Sequence, residues 1–382
     1  MPAFRSLTLL LTACALIGAP AHAAQNTKEA DETSPPRTTR PAEASDTARA
    51  PKALAVGATV VPGVLVHGAG SWVDGDDEAA LRLLEAEAAG LGLILAGGVP
   101  IALTGASRYI VGPAAAVSIV GFGLFTVSWA ADVYAVTAPE GGWGRARGVT
   151  PWIQTELGYR RVQDPRFTYD HFLVQSIDVR AGRLRLAPSA WWSADARNSR
   201  LRVLGGYRAF GPTPRDAKVA RSDGTALDLE AALTRHDYGD DGFKIGTFEL
   251  FVRSRTDLMR VAKPLEGSFF ELGLGGAVQQ YAYQVPGVSI PSDLETMLLA
   301  RFGFGVYVGG PSAPDGEFLL YYDHRHDDYA AGLLSTVPTS GVLGHFGLDG
   351  RMFFSENWGL SGQAQVGAAL VAGLSLVFRE DP

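Results

Sequence analysis

From residue 149 to the C-terminus, charged and polar side chains recur at every second position between apolar neighbours. Because successive side chains of a β-strand point to opposite faces, each such segment has one apolar face and one polar face. Charges of both signs gathered on one face can pair with each other, or line a water-filled channel and set its ion preference. We predict that twelve charged residues line such a lumen: Glu156, Arg160, Arg183, Arg185, Arg202, Glu230, Glu249, Arg253, Glu271, Arg301, Asp349 and Arg351.

The densest polar cluster is the run from Tyr321 to Asp328, which contains His324 and His326. On a strand the two histidines share a face and could chelate a metal together with Asp328, while a His-Asp pair with Asp327 could activate water or a hydroxyl. The simpler interpretation is a solvated strand end that binds lipopolysaccharide sugars, phosphates or nothing. The run does not match the His, Ser and Asp arrangements of outer-membrane phospholipases or proteases. We therefore keep His324, His326, Asp327 and Asp328 as catalytic candidates only, and predict neither a metal site nor a cofactor.

About twelve segments of roughly ten residues alternate in this way, seven clearly and five more weakly. Only helices and closed barrels can pair all their backbone groups inside lipid, and single-chain bacterial barrels have an even number of strands. The pattern therefore predicts an all-β transmembrane barrel over residues 149–382, with both ends on one side. A soluble β-sandwich, which also alternates, is the competing interpretation. Aromatic residues near the strand ends are expected to form interfacial girdles: Trp152, Tyr159, Trp191, Trp192, Tyr207, Tyr321, Tyr322 and Trp358.

The segment Leu374-Ser-Leu376-Val-Phe378 resembles the C-terminal strand of bacterial outer-membrane β-barrel proteins, in which alternating apolar residues end in a phenylalanine. This sequence departs from that pattern because Arg379 to Pro382 follow the phenylalanine. The resemblance concerns that class of protein in general and no particular family. It implies residence in the outer membrane, with the lipid bilayer, lipopolysaccharide and the outer-membrane assembly machinery as partners.

The N-terminus has the layout of a cleaved secretory signal over residues 1–24. Arg5 supplies the positive charge, Leu7 to Ile17 are apolar, and Ala21-His-Ala23 is a small-x-small cleavage site. The single cysteine, Cys14, lies within a lipobox-like Leu-Thr-Ala-Cys run, so lipidation is the alternative to simple cleavage. Residues 25–52 are rich in Ala, Thr, Pro and charged residues, which predicts a disordered linker.

Residues 53–137 contain two long apolar segments, one ending near Thr104 and one beginning near Tyr109. They resemble the Gly-rich helical hairpins of many bacterial membrane proteins, and the small residues in Gly112-x-x-x-Ala116 and Ala114-x-x-x-Ser118 predict close helix packing. Three placements follow from the sequence. The hairpin plugs the barrel, lies against it in the same membrane, or sits in the inner membrane, in which case the barrel prediction is wrong.

The chain carries a net charge of −7, which gives no basic surface for nucleic acid. The sequence favours an outer-membrane barrel that is structural or a small-solute or ion channel with a charged lumen, and it favours a protein without enzymatic activity. The alternatives are an outer-membrane lipid hydrolase centred on the His/Asp cluster, and a periplasmic β-domain anchored in the inner membrane.

Overall fold

The computed structural model describes residues 51–105, 107, 109–164, 170–216, 223–239, 242–283, 294–310, 314–325, 333–334 and 342–382. The predicted signal peptide and all but the end of the predicted linker lie outside these ranges. Four helices come first in the described part of the chain: α1 (Lys52–Val60), α2 (Ala69–Val73), α3 (Asp77–Thr104) and α4 (Val111–Thr137).

Twelve antiparallel strands close into a barrel, which confirms the predicted fold class and strand count. The first strand pairs with the second on one side and with the last on the other, so the sheet has no free edge. A separate two-stranded pair is formed by β10 (Leu333–Leu334) and β11 (Val342–Leu343). The barrel strands are β1 (Ile153–Gln163), β2 (His171–Ala181), β3 (Leu184–Ser193), β4 (Asn198–Phe210), β5 (Ala226–Tyr238), β6 (Phe243–Asp257), β7 (Ser268–Tyr283), β8 (Leu294–Gly309), β9 (Asp315–Asp323), β12 (His345–Phe353), β13 (Trp358–Val366) and β14 (Leu370–Glu380).

The alternation of apolar and polar residues decides which face of each strand points outwards. Leu157, Leu233 and Leu374 are 55, 63 and 58% exposed on the outside of the barrel, whereas the charged residues between such leucines face the lumen. A water-soluble sheet would bury these leucines, because each exposed one forgoes about 1.5–3 kcal/mol of burial energy. An outer surface of this kind fits a lipid environment.

Both ends of the sheet lie at the same end of the barrel, since β1 begins there and β14 ends there. We call this the terminal end. The connection from β4 to β5, residues 211–225, also lies at this end, and it is long for a turn between neighbouring strands. This length lets the connection reach over the mouth of the lumen, where the carbonyl of Pro212 accepts from Thr150.

Helices α3 and α4 pack closely because glycines stand where their backbones meet. A Cβ added at Gly121 would lie 2.6 Å from the carbonyl oxygen of Gly90, and one at Gly97 would lie 2.2 Å from that of Ala114. The predicted Ala114-x-x-x-Ser118 motif therefore lies in the helix interface, where Ser118 also donates to the carbonyl of Ile94. The predicted role of Gly112 is wrong, because a Cβ there would meet open space.

The helix pair lies against the outer wall of the barrel at β7 and β8. The ring of Phe122 meets that of Phe302 on β8 edge-on at 5.7 Å, and Tyr134 meets Phe304 in the same way at 5.9 Å. Phe302 is consequently 4% exposed, unlike the outward leucines of strands that no helix covers. Of the three placements left open by the sequence, the structure has the second, with the hairpin beside the barrel. The 27 residues of α4 extend about 40 Å, enough to accompany the wall across a bilayer.

This placement predicts a disulfide in the double variant Gly123→Cys/Phe302→Cys, built on Cys14→Ser. A Cβ on Gly123 would lie 2.9 Å from the Cβ of Phe302, so a helix shift of about 1 Å reaches the range that disulfides prefer. Cross-linking is read from gel mobility with and without reductant. The matched control is Gly92→Cys/Phe302→Cys, since Gly92 faces open space and should give no cross-link. Equal cross-linking in both variants, or in neither, would contradict the packing.

Helices α1 and α2 form a short helix-turn-helix beside α3 and α4, and buried polar groups hold it there. The amide of His67, in the turn, donates to Glu87 at 2.8 Å, and its ring Nδ1 lies 2.6 Å from the hydroxyl of Ser128. The Trp129 indole donates to the carbonyl of Thr59 at 3.0 Å. Irregular backbone at membrane depth needs such partners, since lipid supplies none. The buried His67 thus has a structural role.

Candidate functional site: the charged lumen

Side chains from all twelve barrel strands fill the lumen and leave two adjoining cavities. The larger has a volume of about 590 Å³ and extends to the terminal end, and the smaller has a volume of about 290 Å³. Among the described residues, twelve arginines and seven carboxylates line the larger cavity, while six arginines and three carboxylates line the smaller. The lumen is therefore positive on balance, although the chain as a whole is negative.

Eleven of the twelve residues predicted from the sequence line one or both cavities, as the alternation indicated: Glu156, Arg160, Arg185, Arg202, Glu230, Glu249, Arg253, Glu271, Arg301, Asp349 and Arg351. The prediction is wrong for Arg183, which lies in the two-residue turn between β2 and β3. There it is exposed and donates to the carbonyl of Ala209 at 3.3 Å. Whether the eleven residues serve transport is a functional question, taken up as a proposal below.

Two residues predicted for the aromatic girdle instead face the lumen. The ring of Trp191 lies under the guanidinium of Arg160, 4.2 Å from its centroid, and Tyr321 lies 3.8 Å from the guanidinium of Arg301. An arginine stacked on an aromatic ring is held in one orientation while its N–H edge stays available for hydrogen bonds. These two rings thus orient lumen arginines.

Two carboxylates inside the barrel, Glu249 and Glu230, are each shared between two arginines. Glu249 is only 1% exposed and accepts hydrogen bonds from two arginines. Arg202 donates two, one of them at 3.0 Å, and Arg325 donates one at 2.7 Å. Glu230 is shared in the same way between Arg185, at 3.0 Å, and Arg253, at 2.5 Å. Arg185 also pairs with Asp178 at 2.9 Å, and Arg325 also pairs with Asp323 at 3.7 Å, so these charges form a connected network and not isolated pairs.

Near β7 and β9 the balance is reversed, because one arginine serves two carboxylates. Arg255 donates to Glu271 at 2.6 Å and to Glu317, also at 2.6 Å, and its guanidinium lies over the ring of Phe269. Sequence reasoning did not single out Arg255 and Glu317. Arg255 continues the every-second-residue series of Arg253, which is the signal that could have found it.

Arg379, which breaks the resemblance to the usual C-terminal strand, has a defined place at the terminal end. It is 4% exposed, binds both carboxylate oxygens of Asp315 at 2.8 and 2.5 Å, and donates to the carbonyl of Glu356. Strand β14 continues past Phe378 to Glu380, so Arg379 is the next inward-facing residue and not part of a loose tail.

A strap, defined as residues 138–152, connects α4 with β1 and crosses the mouth of the lumen at the terminal end. In the ring of strands β7 is opposite β1, six positions away in either direction, and α4 ends beside β7 and β8. The strap is fixed on one side by Arg145, which pairs with Glu266 at 2.7 Å, and on the other by Arg147, which pairs with Asp381. Residues 145–151 contribute six of the residues that line the larger cavity.

The β4–β5 connection completes the cover of this mouth. The carbonyl of Pro212 accepts from Thr150 of the strap at 3.4 Å, and Gly224 lies against Tyr307 and Ala146. Arg260 in the β6–β7 connection binds Asp223, and this hydrogen bond raises the pKa of the arginine. The terminal mouth is therefore narrower than the ring of strands around it.

At the other end of the barrel, the described part of the polar run, Tyr321 to Arg325, divides between the two faces. Asp323 and Arg325 point into the smaller cavity, whereas His324 follows Tyr322 on the outer face and lies 2.8 Å from its hydroxyl. The catalytic candidates His326, Asp327 and Asp328 lie outside the described residues. Within the described ranges no group of three or more His, Cys, Asp or Glu side chains is arranged to hold a metal ion.

No protein-family model matches the sequence, and neither does any curated protein. Solved structures of similar shape include the outer-membrane protein Omp33 of Acinetobacter baumannii, with 10% identity, 61% of this chain and 99% of that chain covered, and a TM-score of 0.32. The KdgM porin in complex with oligogalacturonate matches at 8% identity, with 59% and 98% covered and a TM-score of 0.34. The NalP autotransporter translocator domain of Neisseria meningitidis matches at 12%, with 60% and 88% covered and a TM-score of 0.33. Likenesses at this level add nothing on function.

Proposed function

We propose that this chain is an outer-membrane β-barrel channel through which small solutes pass. The carrying observation is the closed twelve-stranded barrel with exposed leucines outside and two adjoining polar cavities inside. A barrel that only anchored the hairpin would need no cavities, because apolar or paired side chains could fill it. The proposed partners are the lipid bilayer with its lipopolysaccharide, and the assembly machinery that folds outer-membrane barrels.

The position of the hairpin supports the outer membrane as the location of the whole chain, over the alternative of a β-domain anchored in the inner membrane. A helix pair packed along the wall at Phe302 must share one bilayer with the barrel. Barrels with exposed leucines on their strands are outer-membrane structures in bacteria. With the chain arranged in this way, the terminal end and the strap face the periplasm.

The hydrolase alternative gains no observation in its favour. His324, the one catalytic candidate within the described residues, lies within hydrogen-bond distance of the Tyr322 hydroxyl on the outer face. We therefore propose passage of solute, and His324, His326, Asp327 and Asp328 stay catalytic candidates predicted from the sequence.

The test is single-channel recording of the purified protein in planar bilayers, where discrete conductance steps are expected. Ser189 faces the lumen, where it lines both cavities, and its neighbour Ala190 faces outwards on the same strand. Ser189→Trp should reduce the conductance at least about two-fold by narrowing the passage, whereas Ala190→Trp should leave it unchanged. A folded wild-type protein that never conducts, or equal effects of the two variants, would overturn the proposal.

A further inference from the structure

The two lumen cavities meet at a neck whose lining has an unusual composition. Eight residues line both cavities, and four of these are arginines: Arg160, Arg202, Arg253 and Arg301. The other four are two serines, a glutamine and a leucine, so no carboxylate among the described residues lines both cavities. We call these four arginines the collar.

The collar arginines are held from behind, by groups that line one cavity or the other. Glu249 holds Arg202, Glu230 holds Arg253, and Asp349 accepts from Arg301 at 3.2 Å. Aromatic rings support the other faces of Arg160 and Arg301. Fixed guanidiniums present their donors without further ordering cost, as binding of an oxyanion requires.

The charge of the carboxylates does not cancel that of the collar. Glu249 and Glu230 are each shared with a second arginine, Arg325 and Arg185, which also pair with Asp323 and Asp178. Arginines nevertheless outnumber carboxylates among the described lining residues, by twelve to seven in the larger cavity and by six to three in the smaller.

We propose that the collar binds the oxyanion group of a small solute, a carboxylate or a phosphate, and makes the channel select anions. The claim of anion selectivity rests on the proposed channel function, whereas the claim that the collar binds an oxyanion does not. Rings of arginine are the usual means by which pores select anions. The larger cavity, at about 590 Å³, has room for a small organic anion beside the neck.

The test combines selectivity with binding. In a potassium chloride gradient across a planar bilayer, the reversal potential of the wild type should show chloride more permeant than potassium, and inorganic phosphate should block the current. Arg160→Gln and Arg253→Gln should each lower the preference for chloride and weaken phosphate block about ten-fold. Arg160→Lys, which keeps the charge, should retain the chloride preference.

The matched control is Arg161→Gln, one residue from Arg160, since Arg161 is exposed on the outer face. It should leave both readouts unchanged. Conductance without chloride preference, or equal effects of Arg160→Gln and Arg161→Gln, would overturn the collar and leave the channel standing. If the protein does not conduct, the channel falls, and calorimetric titration of the folded protein with inorganic phosphate decides the collar. A heat of phosphate binding that is seen in the wild type and lost in Arg253→Gln supports the collar as a binding site. No binding by the wild type overturns it.

Discussion

Glu249→Leu should destabilise the folded barrel by about 3–5 kcal/mol, because it removes the carboxylate that two buried guanidiniums share. Arg202 and Arg325 both depend on this residue, which is 1% exposed. A leucine of similar volume cannot compensate, since the arginines remain. The loss is measured by urea unfolding of the protein in lipid vesicles, with folded protein separated from unfolded by its gel mobility.

Two further variants separate the charge from the shape at this position. Glu249→Gln keeps one of the two acceptor oxygens and should lose less than Glu249→Leu. Glu85→Leu removes an exposed carboxylate that pairs with Arg82 on α3, and it should cost less than about 1 kcal/mol. If Glu249→Leu proves no less stable than Glu85→Leu, the buried network of Glu249 does not contribute to the free energy of unfolding.

The period of two predicted most of the barrel because it is a local property of each strand. It placed eleven lumen residues and the number of strands before any contact was known. It failed at Arg183 because the alternation was continued past the start of β3 at Leu184 into a turn. It could also have corrected the aromatic girdle, since Trp191 has the same parity as the inward-facing Arg185 and Ser189.

The features that the sequence could not predict depend on pairs of residues far apart in the chain. Nothing near Gly123 indicates that Phe302 lies against it, so the sequence favoured association of the hairpin with the barrel but left three placements open. The strap across the mouth follows only from the ring order of the strands, which puts β1 opposite the place where α4 ends. Likewise, the collar exists because four strands bring their arginines to one level.

Asp132→Ala should release α2 from α4 and destabilise this part of the chain by about 3 kcal/mol or more, because three hydrogen bonds lose one acceptor. Asp132 is fully buried and accepts from the amides of Gly70 and Ser71, at 3.1 and 3.0 Å, and from the Ser71 hydroxyl at 2.7 Å. In a membrane no water can take its place.

Amide hydrogen exchange measures this effect directly. The amides of Gly70 and Ser71 should exchange much faster in Asp132→Ala than in wild type, while strands β1 to β6 should be unaffected. Asp132→Asn, which retains one acceptor oxygen, should show an intermediate effect. The control Asp77→Ala removes an exposed carboxylate from the first turn of α3 and should leave these two amides protected. Equal protection of these amides in Asp132→Ala and Asp77→Ala would mean that the buried carboxylate of Asp132 does not hold α2 against α4.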